Sequence, residues 1–267
     1  TDPSADATNW LVITARALAS QATAEAGTNN TESMSPLRTA QAIAALAPNA
    51  ANYQEFLTSG TWAKPAGVTF VYVEAIAAGG GGANHTTSTN VGAASGGEYV
   101  ASIFEASSLS ATETITIGAA GAGAADGAVA DGSVGGDSSF GSLLTAIGGN
   151  PGVTGPSYST IPRSGLAETA DTALSSIAFA QAGYGGQGST SGVGGNTIYG
   201  GAGGGGASAS TSSAGGTSEF GGNGGAGNTV SDTKAGNGSV PGGGGGGSSD
   251  DGGGGDGGAG RIRVWSW

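Results

Sequence analysis

Few residues in this chain are equipped for covalent or metal chemistry. The 267 residues hold one histidine, His85, and no cysteine. Neither a thiolate nucleophile nor a tetrahedral zinc set can be assembled from that inventory. The only lysines, Lys64 and Lys234, follow Ala and Thr, so the Gly-Lys-Ser/Thr of a phosphate-binding loop is missing. No Gly-x-Ser-x-Gly occurs. Matches to Gly-x-Gly-x-x-Gly carry no weight at this glycine density. Asp251 and Asp256, separated by four glycines, approach the calcium-binding G-G-x-G-x-D repeat. The first glycine is absent, no tandem copy follows, and Gly258 stands at the large apolar position, so Asp250, Asp251 and Asp256 read as solvated loop charge. A glycosidase-type carboxylate pair is left open by spacing alone, but the glycine-rich half has few aromatics to build a sugar cleft. The expectation is a protein that is not an enzyme, with no catalytic residue, no metal and no cofactor.

What remains is recognition by polar loops. The chain carries 7 Lys and Arg against 19 Asp and Glu, a formal charge of −12. Nucleic-acid binding needs clustered basic residues, so no nucleic acid is expected as a partner. The best apolar run, 68–78, is interrupted by Glu74, so no membrane insertion is expected either. Opening on Thr1 with no signal peptide in view, the chain reads as a piece of a longer protein.

The elements that must position such loops come in two styles. Residues 1–51 are expected to be helical. One helix spans 10–26, with Leu11, Ala15, Leu18 and Ala22 on one face and Gly27 as its stop. A second starts at Ser35-Pro36 and ends before Pro48. Faces this rich in alanine bury little alone, which suggests packing of identical copies around an axis; a monomeric helical hairpin is the alternative. Residues 52–267 form the second expected domain. A strand over 53–62 should pair with a central strand over 68–77 across the turn 63–67. Further strands are expected at 98–104, 112–117, 138–147 and 261–267. In the last, Arg261, Arg263, Trp265 and Trp267 share one face, with Ile262 and Val264 on the other. A polar excursion over 151–172 is expected, with a short helix near 166–174.

Glycine dominates this second domain. Of 58 glycines, only Gly27, Gly60 and Gly67 precede Gly79. Between Gly183 and Gly227, sorting the glycines by position modulo three puts all but Gly205 into two phases. The third phase carries Tyr184, Gln187, Val193, Asn196, Tyr199, Thr217, Phe220 and Asn223. A period of three fits neither an α-helix nor a strand. It fits an extended three-residue helix of the polyproline type, which has no internal hydrogen bonds and must find partners on neighbours. Repeat slippage without such a helix is the alternative. The expected fold is mainly β with polyglycine-II-type helices, short N-terminal α-helices and a fibrous homotrimer. The non-glycine stretches 83–95, 207–214, 228–235 and 248–251, together with the excursion, become loop tips. On these lie the candidate contact residues Asn84, His85, Tyr158, Arg163, Ser210, Thr211, Asp232 and Lys234.

Two segments resemble bacteriophage tail-fibre proteins. Residues 22–46, ATAEAGTNNTESMSPLRTAQAIAAL, are similar to a segment recurring in such fibres, with Ser35 where Thr is usual. Residues 56–83, FLTSGTWAKPAGVTFVYVEAIAAGGGGA, resemble the opening of a glycine-rich domain found at fibre ends. Residues 135–149 and the closing GGAGRIRVWSW continue that likeness, although IAAGGGG stands where relatives often have WGGGGG. The resemblance implies a homotrimeric fibre in the virion, outside the cell. It implies attachment to other tail or fibre proteins on the N-terminal side, and a host surface glycan or outer-membrane protein as receptor. The alternatives are a purely structural fibre segment and an ice-binding protein; the mixed residues of the free phase argue against the last.

Overall fold

A computed structural model describes residues 51–86, 90–154, 173–177 and 192–267, the helix at 36–46, and the single residues 20, 22 and 26. Two compact units are present, Thr1–Ala50 and Ala51–Trp267. In the first, α1 spans Pro36–Leu46, opening on the expected proline. The expected helix at 10–26 lies outside the described residues, apart from Ala22 and Ala26, which are helical, and Ser20, which is not. The second unit is mainly β.

Its core lies between two antiparallel sheets. One contains β1 (Asn52–Phe56), β3 (Phe70–Ile76), β4 (Tyr99–Glu105), β8 (Ala173–Ile177) and β11 (Arg261–Ser266), in the order β1-β11-β3-β4-β8. The other contains β2 (Gly60–Ala63), β5 (Thr112–Thr116), β6 (Ser138–Phe140) and β7 (Leu144–Ala146), in sequence order. Alternation does the work expected of it. Val71, Val73 and Ala75 from β3 and Ile262 and Val264 from β11 point inward, meeting Trp62, Ile115 and Phe140. Trp62 and Phe104 flank Phe140 with ring centroids at 5.5 and 6.1 Å.

The expected hairpin between 53–62 and 68–77 does not form. The first run breaks at 57–59 into β1 and β2, which belong to different sheets. Trp62 has to enter the core from the second sheet, and β11 takes the place beside β3, with Trp265 opposite both Tyr53 and Tyr72. The turn at 66–67 survives as a crossing between sheets, with Gly67 at φ 78°. Lys64 fastens it by donating to the carbonyls of Ala106 and Leu109 at 2.8 and 2.7 Å. β3 is central, but only one of its faces is fully covered; Phe70, Tyr72 and Glu74 on the other are half-buried. The run 138–147 folds as two strands around Gly141 (φ 53°). Of the expected helix at 166–174, only Ala173 and Leu174 are described, and they open β8 as strand.

The remainder is glycine-rich and has almost no regular helix or strand, yet its backbone is laced together. The segment 242–248 illustrates the rule. Gly243 and Gly246 donate to Ser239 and Gly236, Gly244 and Gly247 to Ala202 and Gly205, Gly245 and Ser248 to Gly80 and Ala83. Carbonyls of the same segment accept from Gly97 and Ala94, from Gly258 and Gly255, and from Gly225 and Asn228. Each partnership recurs after three residues, and six different segments surround this one. Backbones can come this close only where no Cβ intervenes. A Cβ on Gly82 would overlap the carbonyl oxygen of Gly246, and one on Gly245 that of Gly255.

The free phase of the triplets faces outward where the bundle has a surface. Val193, Asn196, Thr217, Phe220 and Asn223 are exposed. The exception has a reason. Ala202 and Gly205 occupy that phase within 201–206, which is buried throughout, so all three edges of that segment must be small.

Candidate functional site

Strands of both sheets run directly into the glycine segments. β3 continues into 77–83, β5 into 117–124 and β7 into 147–153, while 131–137 leads into β6, 91–98 into β4 and 253–260 into β11. Their far ends meet. Isolated bridges join Asn84 to Ala130 and Ser248, Asn228 to Ser248, and Val91 to Thr154 and Ala207. Residues 84–86 and the loops at 125–130, 207–212, 228–235 and 248–253 are thereby gathered at one end of the bundle, held by backbone contacts rather than by a hydrophobic core.

Asn84 is a brace and not a contact residue, which corrects its placement at an exposed tip. Its side chain is fully buried, and its amide donates to the carbonyls of Ala125 and Ala128 at 3.2 and 2.9 Å. Asparagine can bond the backbone of a neighbouring loop from a single position, and here it shapes the 125–130 tip. His85 beside it is half-buried, its backbone N–H on Ser248. Ser210 is exposed at the turn of the hairpin formed by β9 (Ala207–Ser208) and β10 (Thr211–Ser212), with Thr211 half-buried. Tyr158 and Arg163 lie outside the described residues.

Asp232 and Lys234 sit on a loop that Asn228 organises. Asn228 donates to the carbonyls of Val230 and Thr233 and accepts from the Val230 N–H at 3.1 Å. Asp232 adopts φ 56°, the left-handed region, which Asp tolerates better than most residues. Lys234 is not a free charge: its Nζ lies 2.6 Å from Asp256. The other Asp256 oxygen accepts from the Gly123 N–H at 2.8 Å. Burial raises the Asp256 pKa, but the Lys234 and Gly123 hydrogen bonds outweigh it and hold the carboxyl below its ordinary value. Asp232 and Lys234 border an open pocket of about 340 Å³, with Gly123, Asp126, Gly252 and Gly253 among its walls. Among the described residues, no group of three or more His, Asp or Glu is placed to hold a metal, and no helix is long and apolar enough to cross a membrane.

Sequence reasoning missed a second concentration of side chains at the sheet end. Turns at 196–200 and 217–221 return there, bringing Tyr199 onto Tyr99 and Phe220 onto Tyr199, with centroids at 5.2 and 5.4 Å. The sequence places Tyr199 and Phe220 on a common phase but gives no sign that this phase meets β4.

Fold and loops together define a glycine-scaffolded β domain with a clustered set of tips. The chain belongs to the glycine-rich domain family, whose model matches residues 55–266. A comparison with curated proteins finds no match.

Proposed function

We propose that this chain is the distal part of a bacteriophage tail fibre, a non-enzymatic virion protein that attaches the particle to its host through the clustered loops. The single observation that carries the reading is the gathering of several loops, most of them polar, at one end of a bundle held by backbone hydrogen bonds. Such a bundle keeps its tips in fixed relative positions while their sequences vary. On this reading the glycine segments are polyglycine-II helices, as the recurrence of each partnership after three residues suggests. The fibre is a homotrimer, joined on its N-terminal side to other tail or fibre proteins. The receptor is a surface glycan or an outer-membrane protein, met by Ser210, Thr211, Asp232 and the pocket beside Lys234.

The test uses the purified chain, labelled and applied to a panel of bacterial strains. Altering residues 209–212 and 229–233 together, while leaving the Asn84 and Asn228 braces, is expected to abolish adsorption. Periodate treatment of the cells removes binding if the receptor is a glycan, and protease treatment removes it if a protein. Unchanged adsorption after both loops are altered sinks the loop assignment. If the unaltered chain neither binds any strain nor blocks phage infection, the chain is a structural segment and its receptor-binding role is lost.

A further inference from the structure

The outer face of the five-stranded sheet carries a continuous aromatic band. Tyr53 packs on Trp265 at 5.1 Å and Trp265 on Tyr72 at 5.4 Å. The Tyr72 and Tyr99 hydroxyls lie 3.4 Å apart, and Tyr99 continues through Tyr199 to Phe220. At the two ends, Tyr53 and Phe220 are 49% and 51% exposed.

The polar groups on this face satisfy one another. Glu55 pairs with Arg263 at 3.1 Å and Arg261 at 3.7 Å. Arg261 also donates to the Phe220 carbonyl at 3.2 Å. Tyr72 and Tyr99 both donate to Glu74 Oε1, at 3.0 and 3.1 Å. A saccharide platform needs open ring faces and outward donors and acceptors; here the rings take up each other and the polar atoms are occupied. A face whose polar groups are already paired loses little when water leaves it. Tyr, Trp and Arg without Lys is also the composition of the dry centre of a protein interface.

Charge selects the occupant. Two guanidinium groups against the carboxylates of Glu55, Glu74 and Glu105 leave the face close to neutral, so nearly all of the −12 of the chain lies elsewhere. Copies of the chain repel over most of their surface but not here. The patch also carries both signs, so Arg261 and Arg263 of one copy can exchange their own Glu55 for that of the next copy around a rotation axis. We propose that this aromatic band is the surface through which copies of the chain associate. The proposal rests on the homotrimer reading above and names its contact face.

The experiment is sedimentation equilibrium of the full chain, with Tyr53→Ser/Phe220→Ser as the variant because both side chains are half-exposed. The variant should dissociate at concentrations at least tenfold higher than the unaltered chain, with unchanged circular dichroism. Because the chain lacks cysteine, Tyr53→Cys gives a clean second readout. A short bis-maleimide should couple copies through position 53 and fail through Val129→Cys, an exposed tip position. This readout holds even if the double variant folds poorly. An unaltered association constant in a folded double variant, with coupling at 129 and not at 53, overturns the face while leaving the oligomer standing. An unaltered chain that stays monomeric at all concentrations overturns both.

Discussion

The two ends of the β unit are built on opposite physical terms. Between the sheets, order comes from side chains: Trp62, Phe104, Phe140, Val71 and Val264 interlock in a dry core. In the glycine bundle, order comes from the backbone, each segment hydrogen-bonded to its neighbours and the central one, 242–248, to six of them. The first kind of order tolerates changes of shape at a graded cost. The second tolerates changes outside the bundle freely and changes inside it hardly at all. That difference suits variable tips on a fixed support.

The comparison can be broken at its most severe point first. Gly82→Ala or Gly245→Ala places a Cβ on a neighbouring carbonyl that has no flexible side chain to move. Each is expected to cost more than about 4 kcal/mol or to prevent folding, read by chemical denaturation. Phe140→Ala in the sheet core should cost about 3–5 kcal/mol, leaving a folded protein with a cavity. Ala226→Ser, at an exposed position of the free phase, should stay within about 0.5 kcal/mol. If the buried glycines prove as tolerant as Ala226, backbone contact is not what holds the bundle.

Two titrations sharpen the contrast further. At the sheet, burial followed by the Tyr72 hydrogen bond and the Glu74 charge raises the Tyr99 pKa, and burial is also the main cause of the rise at Tyr72. A phenol with a raised folded pKa contributes stability below its unfolded value near 10, and that stability is lost at more alkaline pH. Absorbance at 295 nm should therefore show Tyr99 silent until the protein unfolds and Tyr72 ionising at higher pH than an exposed tyrosine. At the tips the Asp256 carboxyl is depressed, so its contribution is present above the unfolded value and lost as acid protonates it. The pair with Lys234 is substantially exposed, 46% and 40%, and screening limits Asp256→Asn to less than about 1 kcal/mol. The loss should vanish when wild type and variant are compared in acid.

Much of this division was readable beforehand. Alternation marked β11 and its inner face, because a strand's period survives whatever its neighbours are; β3 was legible as a strand, but with both faces apolar its sequence suggested cover on both sides, and only one is fully covered. The triplet phase set Val193, Asn196, Thr217, Phe220 and Asn223 apart from the glycine edges, and these are exposed, while Tyr199 of the same phase packs on Tyr99. Pairing was not readable. Nothing in residues 53–62 announces that Trp62 belongs to another sheet or that the final strand takes the place beside β3, since both are decided by long-range contacts. Asn84 looked like a loop tip because its neighbours are polar; its burial follows from Ala125 and Ala128, some forty residues away. The aromatic band drew members from six separate stretches of chain, and no local pattern could gather them.

Amide hydrogen exchange bears most directly on the central claim. Residues 79–82 and 242–248 have almost no regular helix or strand, yet their amides are bonded to neighbouring segments. Their exchange should be as slow as that of β3 and β11, and it should accelerate only with global unfolding. Exchange in those segments at the rate of an open chain, while β3 stays protected, would contradict a bundle held by its backbone and leave the tips without a fixed support.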